Sequence, residues 1–330
     1  MALLEISNLA VSIGSGKNNF MAVNGIDMAV NAGEIVALAG ESGCGKTMTA
    51  LSVIRLLPPA AKISGGAILF QTASGETVNI TALNEKSLRK IRGGEIAMIF
   101  QEPRQSLNPL MRIVAQIAET LELHGADKKT AGGEAMELLQ RLRFPQPEKI
   151  FRSWPHQLSG GMCQRVMIAI AAVCRPRLLI ADEPSSALDE STLNHCLDLL
   201  KQINAEFGTA ILFISHDLSM AARFCSRMLV MYSGSIIEDG PADDVFILPL
   251  HPYTASLAGA IPRKENRGRP LAGIPGAAHH GESSGCAFAP RCYAAQERCG
   301  KEFPQWEICE PFCNGSSRRC RCFFPGAENG

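Results

Sequence analysis

The chain has 330 residues, of which 46% are hydrophobic and 19% are charged, and its formal net charge is zero. This composition is typical of a globular protein with a substantial core and excludes a chain that is disordered throughout. The balanced charge provides no global field that would attract nucleic acid or an anionic membrane. No stretch approaches the roughly 20 apolar residues that cross a bilayer. Because the N-terminus also lacks the basic region and apolar core of a signal peptide, we expect a protein on the cytosolic side.

Strands and helices are predicted to alternate along most of the chain. Predicted strands cover residues 3–13, 21–30, 35–39, 67–70, 96–100, 178–181, 210–215 and 228–232. Helices are predicted at Met48–Leu57, before two prolines, and between residues 110 and 144, with breaks near Gly125 and Gly132-Gly133. This alternation favours an α/β fold whose mostly parallel sheet is covered on both faces. Residues 262–285 are rich in Gly, Pro and Arg and indicate a linker.

A phosphate-binding loop is predicted at residues 40–47, Gly-Glu-Ser-Gly-Cys-Gly-Lys-Thr, which match G-x-x-x-x-G-K-[ST] between a strand and a helix. The backbone N–H groups of such a loop surround phosphates, and the helix N-terminus adds its positive dipole end. Lys46 would contact the β- and γ-phosphates, and the Thr47 hydroxyl would bind Mg²⁺. The predicted nucleotide contacts are Gly40, Ser42, Gly43, Cys44, Gly45, Lys46, Thr47 and Met48.

Two acidic residues follow the predicted strand at 178–181. Asp182 at the strand tip suits a Mg²⁺-water contact, and Glu183 can orient or deprotonate an attacking water. Paired acids after a strand are often only solvated. The phosphate-binding loop in the same chain favours the catalytic interpretation.

Residues 158–165, Leu-Ser-Gly-Gly-Met-Cys-Gln-Arg, resemble the signature of ABC ATPases, and other motifs surround them in that family's order. Gln101 is similar to the Q-loop glutamine, Ser186–Asp189 to the D-loop and His216 to the switch histidine. The resemblance covers about residues 3–250. It implies a P-loop NTPase core of the ABC ATPase type, with an antiparallel β subdomain, an inserted α-helical subdomain and a small Cys-rich C-terminal extension.

The same resemblance assigns roles to individual residues. The free N–H groups at the start of the signature helix form an anion site, which in this family completes the ATP site of a second cassette. The nucleotide contacts implied there are Ser159, Gly160, Gly161 and Gln164. The implied catalytic residues are Lys46, Gln101, Glu183 and His216, and the implied Mg²⁺ contacts are Thr47, Gln101 and Asp182. The adenine-stacking aromatic is less evident, and Phe20 is the candidate.

Further segments resemble the oligopeptide/dipeptide/nickel importer branch of the family. They are Gln105–Pro109, Trp154–Gln157, His251–Thr254, Ala260–Pro262 and Gly285–Cys292. This resemblance implies an ABC ATPase domain at residues 1–250, with a helical subdomain at about 101–165, and an extension at 251–330. It also implies the ATP-hydrolysing subunit of an importer of di- or oligopeptides or a related small solute, peripheral to the cytoplasmic face of the inner membrane. The implied partners are a second ATPase subunit, forming a heterodimer, two transmembrane permease subunits and an extracytoplasmic substrate-binding protein.

Seven of the twelve cysteines lie in the last 45 residues. In a reducing compartment, such clustering favours metal or iron–sulfur binding over disulfides. The importer resemblance implies a [4Fe–4S] cluster. Because the small, strand-poor tail has little apolar core, we expect the cluster to stabilise it, and a redox-sensing role is the alternative. Its expected ligands are Cys286, Cys292, Cys299 and Cys322, and the alternatives for the fourth are Cys309, Cys313 and Cys320. Ligand chemistry alone leaves zinc open as well.

A second class of function is a soluble ABC ATPase that acts on ribosomes or DNA. The chain has a single cassette, no predicted long coiled coil and no net basic charge. These features favour the importer and predict no nucleic-acid partner.

Overall fold

The computed structural model describes residues 2–14, 19–184, 189–261, 273–276, 284–309 and 318–327. The chain divides into two compact units, each built from several segments. The first unit comprises Met1–Leu4, Val30–Glu34 and Leu69–Leu212. The second unit comprises Glu5–Ala29, Ile35–Ile68 and Phe213–Gly330.

Strands and helices alternate over the described residues. The strands are β1 (Leu4–Ile13), β2 (Phe20–Val30), β3 (Ile35–Ala39), β4 (Ala61–Gln71), β5 (Thr77–Asn79), β6 (Ile96–Ile99), β7 (Leu178–Asp182), β8 (Ala210–Ser215), β9 (Arg227–Tyr232), β10 (Ser235–Pro241), β11 (Glu307–Cys309) and β12 (Arg318–Cys320). The helices are α1 (Lys46–Val53), α2 (Glu85–Ile91), α3 (Pro103–Ser106), α4 (Ile113–Leu123), α5 (Lys128–Arg141), α6 (Pro147–Arg152), α7 (Gly160–Ala172), α8 (Glu190–Phe207), α9 (Leu218–Phe224), α10 (Ala242–Ile247), α11 (Pro252–Gly259) and α12 (Glu297–Lys301). The order confirms the predicted α/β class.

In the first unit, strands follow one another in the order β8-β7-β6. β6 and β7 are parallel, with Ile96 opposite Leu178, and β7 is buried along its whole length. A run of apolar residues that is buried on both faces is typical of parallel strands. The residues that follow β6 and β7 therefore leave the sheet at the same edge.

Helices α4 and α5 confirm the predicted helical stretch at residues 110–144, and the chain breaks near Gly125 as predicted. The predicted break at Gly132-Gly133 is wrong, because α5 continues through both glycines. Ala131 and Leu138 are buried on one face of α5, which packs against α4. Burial of that face outweighs the cost of about 1 kcal/mol that each helical glycine carries.

In the second unit, the predicted helix Met48–Leu57 is shifted towards the N-terminus. It begins at Lys46 and ends at Val53, well before the prolines that were expected to end it. Arg55 has a φ of 49°, in the left-handed region, and this conformation ends the helix.

The second unit also contains two groups of adjacent strands. One has the order β2-β1-β4 and the other the order β11-β12-β10-β9-β3, followed by the second half of β8. β3 and β9 are parallel, whereas β9–β10, β10–β12 and β12–β11 are antiparallel. The cysteine-rich tail therefore adds two three-residue strands to the β9–β10 hairpin.

Two ion pairs connect β12 to β10, and one of them is fully buried. Glu238 and Arg318 have side chains that are 0% and 1% exposed, and Arg318 Nη2 donates to Glu238 Oε1 at 2.8 Å. Glu238 also accepts hydrogen bonds from the N–H groups of Leu250 and His251. Next to it, Asp239 accepts from both Arg227 and Arg319. These pairs hold the tail strand in register.

None of the helices in the described ranges combines the length and the apolar character that a membrane span requires.

Substituting Arg318 with Leu is expected to destabilise the protein by about 3 kcal/mol, because it leaves the Glu238 carboxylate buried without its cation. Substituting Arg319 with Leu is the matched control, because Asp239 retains Arg227 and Arg319 is 35% exposed. Urea unfolding followed by circular dichroism measures both variants. Equal losses of unfolding free energy in the two variants would contradict the assigned role of Arg318.

Candidate functional site

The predicted phosphate-binding loop joins the buried strand β3 to helix α1 in the second unit. Gly40 and Gly45 have φ values of 150° and 110°. A Cβ atom would lie 2.2 Å from the Met231 carbonyl oxygen at Gly40, and 2.4 Å from the Ala22 carbonyl oxygen at Gly45. Both the backbone conformation and the close neighbours therefore require glycine at these two positions.

Lys46, the first residue of α1, is 4% exposed. Its Nζ donates to the carbonyl oxygens of Gly40 and Glu41 at 2.8 and 2.9 Å. The ammonium group is thus held inside the curve of the loop, where it can exchange carbonyl oxygens for phosphate oxygens. Thr47, the next residue, is exposed.

Other predicted contacts in the second unit differ in exposure. Ser42 and Gly43 are exposed, and Met48 is half-buried. Cys44 is buried, and burial raises the pKa of its thiol. Its contact with nucleotide stays a prediction. Phe20 begins β2 with 44% of its surface exposed, and adenine stacking on it stays a prediction.

His216 follows β8 directly and is exposed. Asp217, next to it, is the N-cap of α9, and its Oδ1 accepts from the N–H groups of Ser219 and Met220. Asp217 therefore has a structural role that fixes the turn in which His216 lies. The switch function of His216 stays a prediction.

The first unit brings Gln101 and Glu183 together. Gln101 follows β6, Glu183 follows β7, and Gln101 Nε2 donates to Glu183 Oε2 at 3.3 Å. Asp182, the last residue of β7, is 4% exposed, whereas Glu183 is half-buried. Glu183 has a φ of 46°, an uncommon conformation for a residue other than glycine. This turn directs the two consecutive acids into different surroundings.

The signature residues begin helix α7 in the first unit. Ser159 is the N-cap, and its hydroxyl accepts from the Met162 N–H at 3.3 Å. Ser159 is exposed and Gly160 is half-buried, so the helix tip is accessible. The N-terminus of a helix with accessible N–H groups binds anions readily. The predicted anion site therefore has the required local structure.

Gln164 is placed differently from the other signature residues. It is 1% exposed in α7, and its Nε2 has no hydrogen-bond partner among the described residues. The structure does not bring it to the exposed tip of the helix, because one turn of α7 separates it from Ser159 and directs it into the core. Its contact with nucleotide stays a prediction.

The predicted D-loop lies mostly outside the described residues, since residues 185–188 are not among them. Its last member, Asp189, is the N-cap of α8 and accepts from the Thr192 N–H at 2.9 Å.

Four cysteines of the extension line one small cavity in the second unit. They are Cys286, Cys292, Cys299 and Cys322. The rest of the lining is largely apolar and includes Phe288 and Phe324. Burial raises the thiol pKa of Cys286 and Cys292, and raises that of Cys322 to about 12. These thiols therefore need a compensating positive charge in order to ionise.

The alternative cysteines for the fourth ligand do not line the cavity, or lie outside the described residues. Cys309 and Cys320 do not line this cavity, and they pack with Leu250 in a small hydrophobic cluster that also contains Cys322. Cys313 is outside the described residues. Within the described ranges, no group of three or more His, Cys, Asp or Glu side chains is arranged to hold a single metal ion.

Two residues of the extension contact Glu41 of the phosphate-binding loop, and the sequence did not predict these contacts. The Tyr253 hydroxyl accepts from the Glu41 N–H at 2.8 Å, and Arg291 forms an ion pair with the Glu41 carboxylate. Both residues lie in segments that the importer resemblance had already marked. The residue types alone gave no indication of their partner.

Comparisons with known proteins identify relatives of both the phosphate-binding core and the extension. A family model described as ABC transporter matches residues 23–186, and one described as oligopeptide/dipeptide transporter, C-terminal region, matches residues 237–299. The oligopeptide transport ATP-binding protein AppD of Bacillus subtilis is 43% identical over 332 residues, covering 99% of this chain and 98% of AppD. The oligopeptide transport ATP-binding protein OppD of Salmonella typhimurium is 41% identical, with coverage of 96% and 93%.

Solved structures show the same fold. The dimeric ATP-binding cassette MJ0796, determined in a post-hydrolysis state with ADP and phosphate, matches with a TM-score of 0.62 and 25% identity. The match covers 72% of this chain and 98% of that chain. CbiO1 from Clostridium perfringens matches with a TM-score of 0.63 and 25% identity, over 74% of this chain and 90% of that chain.

The fold and the phosphate-binding loop define an ATPase of the ATP-binding cassette class. The chain belongs to the ABC transporter ATP-binding proteins, in the oligopeptide/dipeptide transporter group. These findings confirm the predicted ATPase activity. They do not favour a soluble ABC ATPase that acts on ribosomes or DNA.

The two signature glycines give a prediction about packing. A Cβ at Gly161 would lie 2.3 Å from Thr192 Cγ2, whereas a Cβ at Gly160 would meet nothing within 4 Å. Gly161→Ala is therefore expected to lower the unfolding free energy by about 2 kcal/mol, a typical cost of overpacking. Gly160→Ala, the matched control, is expected to be neutral or slightly stabilising. Urea unfolding measures both variants.

Adding Thr192→Ser to the Gly161→Ala variant removes the clashing methyl group and keeps the hydroxyl that bonds Asp189. This double variant is expected to recover most of the lost free energy. Absence of recovery would show that the clash is not the cause.

Proposed function

We propose that this chain is the ATP-hydrolysing subunit of a binding-protein-dependent importer of di- or oligopeptides or a related small solute. The observation that carries this proposal is the similarity to AppD, which spans both the ATPase core and the cysteine-rich extension. The match of residues 237–299 to the oligopeptide/dipeptide transporter region supports the same substrate class.

In the proposed reaction, Lys46 gives up its contacts with the loop carbonyls and binds the β- and γ-phosphates. The Thr47 hydroxyl and the Asp182 carboxylate are oxygen donors, which suits Mg²⁺. Bound Mg²⁺ would neutralise charge on the phosphates. Glu183 orients or deprotonates the attacking water, and Gln101 restrains the Glu183 carboxylate through the hydrogen bond at 3.3 Å.

The proposed working form is a pair of cassettes, in which the helix tip at Ser159 completes the ATP site of the other subunit. The accessible helix N-terminus supports this role. We further propose that the second ATPase is a different chain, and that the pair lies at the cytoplasmic face of the inner membrane. There it would act with two transmembrane permease subunits and receive substrate from an extracytoplasmic binding protein. Residues 1–250 would form the ATPase domain, and residues 251–330 the extension.

For the extension, we propose a [4Fe–4S] cluster that stabilises the tail. The support is the cavity, because four cysteines line it whereas Cys309 and Cys320 do not. The four thiols suit the Cys₄ ligand set of such a cluster, in which each iron takes one thiolate. Because its irons are spread over the cluster, the ligands are spaced more widely than around a single metal ion. The absence of a one-metal arrangement within the described ranges is compatible with this proposal.

Glu183→Gln tests the catalytic assignment. The amide keeps the size of the side chain but cannot act as a base, so turnover is expected to fall at least about 100-fold. ATP affinity, measured with a fluorescent analogue, is expected to stay within about threefold of wild type. Lys46→Ala is expected to lose nucleotide binding itself. Substantial hydrolysis by Glu183→Gln would contradict the role of Glu183.

Paired serine variants test the cluster. Cys322→Ser is expected to lose most of its iron and inorganic sulfide, with the visible absorption of the cluster, because serine replaces one thiolate. Cys320→Ser is the matched control, two residues away, and is expected to keep the wild-type iron content. Anaerobic purification with iron and sulfide analysis measures both. Zinc in place of iron, or equal losses in the two variants, would overturn the ligand assignment.

A further inference from the structure

The extension contacts the phosphate-binding loop at Glu41, and it does so through two groups. The Glu41 N–H donates to the Tyr253 hydroxyl at 2.8 Å. Its carboxylate accepts from Arg291, with Nη1 at 3.0 Å from Oε2 and Nη2 at 3.3 Å from Oε1. The Glu41 carbonyl oxygen binds Lys46 Nζ at 2.9 Å. One residue thus connects the extension to the phosphate-binding ammonium group.

The ion pair between Arg291 and Glu41 is largely shielded from water. The Arg291 side chain is 7% exposed and that of Glu41 is 28% exposed. Arg291 also donates to the Tyr232 hydroxyl at 3.3 Å. A bidentate pair between a guanidinium and a carboxylate fixes orientation as well as charge, and low exposure protects it from screening by salt.

Arg291 belongs to the same turn as two of the cavity cysteines. The Ala289 N–H donates to the Cys286 carbonyl oxygen, and the Arg291 N–H donates to the Phe288 carbonyl oxygen. Phe288 packs edge-on against the rings of Tyr232 and Tyr253. The turn from Cys286 to Cys292 therefore has a fixed position next to the loop, independently of the ion pair.

We infer that Arg291 is a positioning residue for ATP binding. It neutralises the Glu41 carboxylate and orients the first residues of the phosphate-binding loop. This inference rests on the ATP site proposed above. ATP carries several negative charges, and Glu41 is the second residue of the loop that binds its phosphates. Without Arg291, an uncompensated carboxylate would repel the phosphates and would be free to leave its present orientation.

The test measures ATP affinity of the full-length chain with a fluorescent ATP analogue and Mg²⁺. Arg291→Gln is expected to weaken binding about tenfold, which corresponds to about 1.4 kcal/mol. The double variant Glu41→Gln/Arg291→Gln removes both charges and is expected to recover affinity to within about threefold of wild type. Recovery on removing a second group distinguishes neutralisation from general damage to the fold.

The matched control is Arg298→Gln. Arg298 also precedes a cavity cysteine and also pairs with a glutamate, Glu302, but both side chains are more than half exposed and neither belongs to the loop. Its ATP affinity is expected to equal that of wild type. A second readout is the dependence of ATP affinity on salt. The loss of affinity in Arg291→Gln is expected to become smaller between 50 and 500 mM KCl, because salt screens the repulsion between Glu41 and the phosphates. The Debye length falls from about 10 Å at 0.1 M to about 3 Å at 1 M.

Unchanged affinity in Arg291→Gln, or an equal loss in Arg298→Gln, would overturn the inference. So would a double variant as weak as the single one. If Arg291→Gln fails to fold, Arg291→Lys replaces it, with an expected smaller loss because an ammonium keeps the charge but not the bidentate geometry. A wild-type chain that binds no ATP would instead refute the proposed function itself.

Discussion

The close approach of backbone atoms around the phosphate-binding loop is the constraint on which the functional residues depend. Two glycines of this loop have positive φ and lie against carbonyl oxygens of Ala22 and Met231, so that no side chain fits there. This tight path lets α1 begin directly at Lys46, with the ammonium group resting on loop carbonyls. In the proposed nucleotide site, the backbone of this loop would therefore bind the phosphates together with the lysine.

The position of the Glu183 carboxylate, for which we propose a catalytic role, depends on a second constraint, the parallel pairing of β6 and β7. Parallel neighbours end at the same edge, and this places Gln101 beside Glu183 although 82 positions separate them in the chain. The positive φ of Glu183 separates it from Asp182, which stays buried at the end of its strand. The turn between the two adjacent acids thus gives each its own surroundings, which suits the separate roles that we propose for them.

The extension is integrated into the second unit by charge as well as by apolar contacts. Glu238 and Asp239 lie on β10 and take their arginine partners from β12 and β9. Removing charges from water is unfavourable unless each is paired, so these residues fix the register of the tail. The same extension reaches the loop through Arg291 and Tyr253. The turn that carries Arg291 also provides two of the cysteines that line the cavity.

The sequence by itself determined the strand–helix alternation, the phosphate-binding loop and the signature, because these depend on local spacing and on glycine. It also indicated the four cysteines that share a cavity. It did not predict β10. Two consecutive acids in the centre of this segment are typical of an exposed loop, and the arginines that pair with them lie up to 80 residues away in the chain. It placed Gln164 with the exposed signature residues, although helix geometry turns that side chain into the core. Only the tertiary structure decided the pairing of Arg291 with Glu41. The two residues are 250 positions apart, so the fold of the chain brings them together and no local sequence pattern predicts their contact.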